Sequence, residues 1–241
     1  KDSRIKVFYR KKNGHISATS NSALEMATGE YIALMDNDDI ISKNALYEMV
    51  KVLNLDKKID MIYTDEDKID FDGTRCEPHF KSDYAPDTLL SSNYICHFTL
   101  LRKNIVDEIG GFREGYEGAQ DYDLFLRFTE KTNKIFHIPK ILYHWRKLSG
   151  STAVTVGNKG YAIQNGKKAL EDALKRRDIK GEVIIHEKIP YYSIRYIYDK
   201  EPMISIIIPT KDHTDILKCC IDSIYNKTNY KNYEVIVVNN N

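Results

Sequence analysis

Hydrophobic and polar positions change rhythm along this chain, and each change marks an element. Arg4 to Arg10, RIKVFYR, alternates and predicts a strand. Ile16 to Ala27, ISATSNSALEMA, has apolar residues at helical spacing, and Thr28-Gly29 ends it. YIALM, Tyr31 to Met35, is apolar on both faces, as a buried parallel strand is. It runs into an abrupt acid knot, Asp36, Asn37, Asp38 and Asp39. Ser42 is placed to cap a helix over Lys43 to Leu55, and DMIYTDED, Asp60 to Asp67, predicts another strand. This alternation predicts an α/β domain with a mostly parallel central sheet flanked by helices.

The middle is more mixed. A short helix is predicted from Asp87 to Ser92, then a strand over CHFTLLRK, Cys96 to Lys103. Asn104 would cap a turn of helix ending at Gly110-Gly111. The glycine-rich run GGFREGYEGAQ leads into a helix from Asp121 to Thr132. KIFHIP and ILYHWR read as two strands, Asn158 to Arg177 as a long amphipathic helix, and Gly181 to Asp199 as strand with a proline break. At residue 200 the composition resets. A strand, a helix and a strand follow, as at the opening of a new α/β domain, which divides the chain into 1–199 and 200–241.

Composition narrows the classes. A net charge of +1 offers no strong field for nucleic acid or an anionic membrane. The start is charged throughout and carries no signal-peptide pattern, and the longest apolar runs fall far short of a membrane span. Cys76, Cys96, Cys219 and Cys220 form neither a zinc pattern nor a disulfide framework, which implies reduced thiols and a cytoplasmic setting.

The acid knot poses the first chemical question, because crowded like charges oppose one another's ionisation. Open α/β sheets bind ligands at the carboxyl ends of strands, where the knot sits, and a DxD there can chelate Mg²⁺ or Mn²⁺ through oxygen. The bland alternative is that Asp38 or Asp39 caps the following helix; both readings stand on these residues alone. An EF-hand starting at Asp36 fails, since Ile41 and Tyr47 occupy its glycine and glutamate positions. A haloacid-dehalogenase-type phosphatase would want a later glycine-flanked acidic pair at a strand end, whereas Asp121 and Asp123 open a helix. Asp121 at that helix start is a candidate general base or a plain N-cap. In YHWR, His144 is a candidate metal ligand or a structural histidine, Arg146 a phosphate contact, and Trp145 a sugar platform or a core residue. TDEDK, Thr64 to Lys68, is a further polar cluster or a solvated strand end with Lys68 pairing one acid.

Taken in order, RIKVFYRKKNGHISATSNSAL, ATGEYIALMDNDD, YTDEDKID, EGAQDYDLFLR and YHWR followed by GST resemble the inverting glycosyltransferases of family 2, over about residues 1 to 155. The likeness is to bacterial enzymes of rhamnan, O-antigen or cell-wall type polysaccharide biosynthesis. It implies the GT-A fold, Mn²⁺ or Mg²⁺, a UDP- or dTDP-sugar donor and a polysaccharide or lipid-linked glycan acceptor. It implies a cytoplasmic location, at the inner face of the membrane in the full-length protein. Asp36 and Asp38 are then the DxD, with Asp38 on the metal and Asp36 on the ribose or diphosphate side. Asp121 is the base of an ED motif written here Gln120-Asp121. His144 completes the metal site, and Glu66 and Asp67 lie near the donor sugar. Where the family often has arginine near the helix asparagine, SATSN has Ser20 before Asn21, which shifts phosphate charge to the metal, Arg146 or Lys11. Family members open with a strand ending in a PTYN-like run and a strand ending in VVDDGS. This chain has no such β-α-β unit at its start and has ISIIIPTKDH and YEVIVVNNN at its end. The last segment would complete the first sheet, in cis or as a strand-swapped homodimer, with Thr210, Asp212 and Asn239 near the nucleoside. The competing expectation is a truncated or non-catalytic sugar-nucleotide-binding module.

Overall fold

A computed structural model describes residues 2–147, 160–186, 189 and 191–240. They fall into two compact units, 1–196 and 197–241. The GST run at 150–152 lies outside the described residues.

The first unit begins with α1 (His15–Met26), β1 (Tyr31–Leu34), β2 (Ile40–Ile41), α2 (Ala45–Leu55), β3 (Met61–Ile69) and β4 (Arg75–His79). It continues with α3 (Pro86–Leu89), β5 (Thr99–Arg102), α4 (Lys103–Glu108), α5 (Gln120–Phe128), β6 (Ile135–Arg146), α6 (Gly160–Arg176), β7 (Gly181–Ile185) and β8 (Tyr192–Tyr196). The main sheet runs β1-β5-β3-β6-β2, with β4 also on β3. The α/β class is as expected and agrees with the GT-A fold, but the sheet is mixed where a mostly parallel one was expected. Only β3 and β6 pair in parallel within it; β5 enters between β1 and β3 antiparallel to both. The chain reaches β5 by a return through α3 and a loop. It does not cross over through a long helix, the connection that keeps neighbours parallel.

Local departures have local causes. RIKVFYR forms no strand; Ile5, Val7, Phe8 and Tyr9 are all exposed, and alternation makes a strand only where a partner covers one face. The two strands expected around Pro139 are one, β6, with the register shift opposite Thr64–Asp65, where Pro139 and Lys140 drop out of the ladder. Ser42 does not cap α2, which starts after Asn44 without a side-chain cap; its hydroxyl turns to His144. The strand with a proline break is a hairpin, β7 against β8.

Packing places the site. β3 is buried over its first seven residues, so the sheet's centre is covered on both faces. Tyr63, Leu101, Leu124, Phe125, Phe128 and Leu170 fill one cluster, built on α5 and α6. Met49, Ile62, Phe98, Leu142 and Tyr143 fill the other, under α2. Among the described residues no helix is long and apolar enough to cross a membrane.

The second unit consists of β9 (Ile204–Thr210), α7 (Thr214–Lys227) and β10 (Tyr233–Asn239), with β9 and β10 in parallel register from Tyr233 opposite Ile204 to Asn239 opposite Thr210.

Candidate functional site

The acid knot leaves the carboxyl end of β1 and splits into two jobs. Asp39 is buried and turned inward: Tyr143 donates its hydroxyl proton to Oδ2, and the Arg146 N–H donates to Oδ1 at 2.8 Å. Burial pushes its carboxyl above the usual range, against those two bonds. The Arg146 guanidinium Nε donates to the Asp38 carbonyl at 2.8 Å. Arg146, put forward from the sequence for phosphate, therefore holds the acid turn. Asp36 and Asp38 are left facing outward, and with Asp39 they offer carboxylate oxygens within 4.8 Å of one another. No side-chain cap forms at α2, so the capping alternative for Asp38 and Asp39 is not realised. Burial, and then the charges of Asp39, Asp121 and Asp38, raise Asp36 above its ordinary value, with His97 opposing.

These residues fit a hard divalent cation. The two outward carboxylates supply oxygen ligands, and a cation between them relieves the repulsion that raises Asp36.

Asp121 stands in the first turn of α5, whose N-cap is Ala119 without a side-chain cap, so Asp121 is not the cap. The Asn93 side-chain amide donates to its Oδ2 at 2.8 Å. The loop before it turns through Gly115 and Gly118, at φ +83 and +81, and the Gly118 N–H donates to the Gln120 side chain at 2.7 Å. Two positions on, Asp123 faces the opposite way into the core, between Arg113 and Arg127.

His97 joins these parts and was not foreseen. Its Nε2 lies 3.8 Å from Asp36 Oδ2 and its Nδ1 3.3 Å from Glu66 Oε2. Its ring stacks on Tyr143 at 4.8 Å and tilts against Trp145 at 5.7 Å. Burial disfavours its protonation, and Glu66, Asp121 and Asp36 outweigh that and raise its pKa. Lys81 is the second residue the sequence did not flag. Its side chain is fully buried, and its ammonium donates to the His97 and Ile95 carbonyls at 2.6 and 2.8 Å and to Glu66 at 3.2 Å. Glu66 would be raised by burial, but bonds from His79 and His97 and the Lys81 charge hold it well below the usual range. A lone lysine in FKSDY and a histidine ahead of a strand carry no spacing signal, which is why sequence patterns pass over them.

His144 lies apart from the three carboxylates. Its Nδ1 pairs with Asp67 Oδ1 at 2.6 Å and its Nε2 with the Ser42 hydroxyl at 3.1 Å, while Arg75 holds the other Asp67 oxygen at 2.6 Å. TDEDK is no solvated strand end: Thr64 to Asp67 are buried, and Lys68 pairs across to Glu77 at 2.7 Å. In the second unit, Thr210, Asp212 and Asn239 come together at the carboxyl end of its sheet. Thr210 is in register with Asn239, and its hydroxyl donates to the Asp212 carbonyl at 3.2 Å.

Residues 1–110 match the profile of glycosyl transferase family 2. An uncharacterized protein, y4gI, of Sinorhizobium fredii is 46% identical over 99% of this chain and 27% of its own length. The O-antigen biosynthesis protein RfbC of Myxococcus xanthus is 35% identical over 100% of this chain and 19% of its own length. This chain thus spans about a quarter or less of these relatives. The crystal structure of S. aureus TarS 1-349 in complex with UDP superposes with a TM-score of 0.49 at 16% identity, over 67% of this chain and 45% of that one. The family profile lies over α1, the acid knot, β3 and the stretch around His97 together, and over residues 1–110 the chain belongs to glycosyl transferase family 2.

Proposed function

We propose that the first unit is the catalytic part of a metal-dependent, inverting glycosyltransferase that moves a sugar from a nucleotide-sugar to a growing bacterial polysaccharide. One observation carries the reading. Asp36 and Asp38 are held together at the tip of β1, and one loop reaches from them to Asp121 on another element, with His97 3.8 Å from Asp36 and Asn93 bonded to Asp121 at 2.8 Å.

Asp38 and Asp36 would hold Mn²⁺ or Mg²⁺, which supplies positive charge to the departing diphosphate. His144 would join as a ligand by exchanging Ser42 at Nε2; its Nδ1 is already oriented by Asp67, as metal-binding histidines commonly are. Asp121, fixed by Asn93, takes the proton of the acceptor hydroxyl as that oxygen bonds to the anomeric carbon. The carbon–oxygen bond to the diphosphate breaks on the opposite face, so the configuration inverts and the nucleoside diphosphate leaves. Glu66 and Asp67 are assigned to the donor sugar, and Arg146 to fixing the turn that faces the phosphates. The donor is a UDP- or dTDP-sugar, the acceptor a polysaccharide or lipid-linked glycan, and the setting cytoplasmic.

The test is a thermal shift with UDP or dTDP, with and without Mn²⁺. A ligand at 100 times its Kd adds about 2.7 kcal/mol, roughly 5–11 °C for a domain of this size. The shift should need Mn²⁺, vanish in Asp38→Ala and survive in Asp121→Asn. A shift indifferent to Mn²⁺ and to Asp38→Ala would sink the donor-site reading. Mn²⁺-dependent binding with no transfer of the sugar would leave the non-catalytic sugar-nucleotide module.

A further inference from the structure

The loop from Asn93 to His97 belongs to no strand or helix, and side chains hold its backbone. The Lys81 ammonium bridges the Ile95 and His97 carbonyls at 2.8 and 2.6 Å. The Thr99 hydroxyl donates to the Cys96 carbonyl at 2.7 Å, and the Cys96 thiol donates to the Asn93 carbonyl. The His97 N–H donates to Glu66 Oε2 at 3.3 Å. Lys81 is itself tied to the middle of the sheet, where its N–H donates to Asp65 of β3 at 2.9 Å.

Two features of this arrangement cost free energy. Cys96 has φ +30, a left-handed backbone that a side chain disfavours and that persists only where its surroundings impose it. The Lys81 side chain is 0% exposed, so its ammonium is fully desolvated. Ile95 packs in the core and would anchor a loop of many shapes there. Core packing therefore accounts for Ile95 but not for the strain or the buried charge. Both act on a loop whose two ends meet Asp121 and Asp36.

We propose that Lys81 is a positioning residue for both halves of the site. Through a loop held under strain at Cys96, it sets where Asn93 fixes Asp121 and where His97 meets Asp36. The proposal rests on the glycosyltransferase reading for what Asp121 and Asp36 do. The Lys81 ammonium bonds to neither carboxylate, so its influence reaches them along the loop. Its bond to Glu66 at 3.2 Å works in the same direction, because Glu66 accepts from the His97 N–H.

The Asn93 side-chain amide reports one end of the loop, and Mn²⁺-dependent UDP binding reports the other. In ¹⁵N NMR without added metal, the amide is assigned by its loss in Asn93→Ala. Its signal should lie away from the usual asparagine position because of the bond to Asp121, and Asp121→Ala should return it there. Lys81→Met should produce the same return and weaken Mn²⁺-dependent UDP binding about tenfold, with circular dichroism unchanged; that is the lower end of what losing support for a metal ligand costs. Cys96→Gly accepts the positive φ without strain and removes the thiol bond, so it should move both readouts in the same direction, and it stands in if Lys81→Met does not fold. Lys81→Arg keeps a charged donor and should retain more of both than Lys81→Met. A purely structural lysine would lower Tm and leave the folded protein's Asn93 signal and UDP affinity as they are. The proposal is overturned if either readout is unchanged in every folded variant of Lys81 and Cys96. If the unsubstituted chain binds no UDP with Mn²⁺, the donor-site reading fails, and the Asn93 signal alone decides the proposal.

Discussion

Replacing Asp123 by alanine strips a buried carboxylate from between two guanidiniums. Asp123 is 0% exposed, Arg127 donates to it from Nε at 2.9 Å and Nη2 at 2.8 Å, and Arg113 donates from Nε at 3.1 Å. Arg127, with its side chain 7% exposed, also donates to the Ile109 and Gly111 carbonyls at 2.8 and 2.7 Å, so it cannot swing into water without releasing the glycine loop. Burial already depresses the Arg127 pKa against the help of Asp123. Breaking such a pair strands a charge and costs about 3–5 kcal/mol. Arg113 is a third exposed and retains Asp172 at 3.1 Å, which places the cost in the lower half, about 3–4 kcal/mol. That is a fall of roughly 6–16 °C in Tm for a domain of this size. Urea unfolding followed by circular dichroism and Trp145 emission measures it. Asp123→Ala with Arg127→Met removes both charges and should recover more than half of the loss. Asp121→Asn, two residues away and outside the core, should change stability by less than about 1 kcal/mol. If Asp123→Ala costs under about 1 kcal/mol, or the double variant is no better than the single, the stranded-charge account is wrong.

Gly166 of α6 faces the Tyr192 hydroxyl, which donates to the Ile163 carbonyl at 3.0 Å. Gly166→Ala should therefore destabilise by about 1–3 kcal/mol despite alanine's better helix propensity, and Tyr192→Phe in the same chain should recover part of it; a stabilised Gly166→Ala would refute the contact. Asp172 has a lowered pKa because a Tyr116 hydroxyl bond and Arg113 overcome its burial, so its stabilisation is present above the ordinary aspartate range and fades as pH falls below about 4. The gap in urea midpoint between wild type and Asp172→Asn should narrow from pH 6 to pH 3, and a constant gap would contradict the linkage.

What the sequence disclosed was periodic, and what it hid was cross-chain. The helices around Ala45 and Gln120, the buried strand at Met61 and the acid knot all carry their signal within about ten neighbouring residues, and each appears in the structure near its expected place. The mixed sheet could not be read that way, because the placement of β5 between β1 and β3 depends on which end the returning loop enters. RIKVFYR shows the converse: its alternation is real, and with no strand alongside it the segment remains exposed. Within the site, the carboxylates announced themselves by crowding, but their division of labour did not. Asp39 is structural and Asp36 and Asp38 are outward only because Tyr143 and Arg146, over a hundred residues on, take up Asp39.

The same long-range logic explains why a buried lysine sits where a glycosyltransferase needs precision. Lys81 costs desolvation, which two carbonyl bonds and Glu66 offset. In return, the segment from Asn93 to His97 is anchored at Ile95 and His97, the two residues whose carbonyls it grips. That segment presents Asn93 to Asp121 at one end and His97 to Asp36 at the other. The proposed base, Asp121, and the proposed metal-site carboxylate, Asp36, are on different elements, α5 and the tip of β1, with no bond between them in the described residues. Their separation is therefore governed by the loop that touches both, and Lys81 is what makes that loop a fixed spacer. An apolar residue at position 81 would avoid the desolvation cost, but it could not hold two carbonyls and a carboxylate at once. The buried charge is best understood as geometry for Asp121 and Asp36, obtained at some expense of stability.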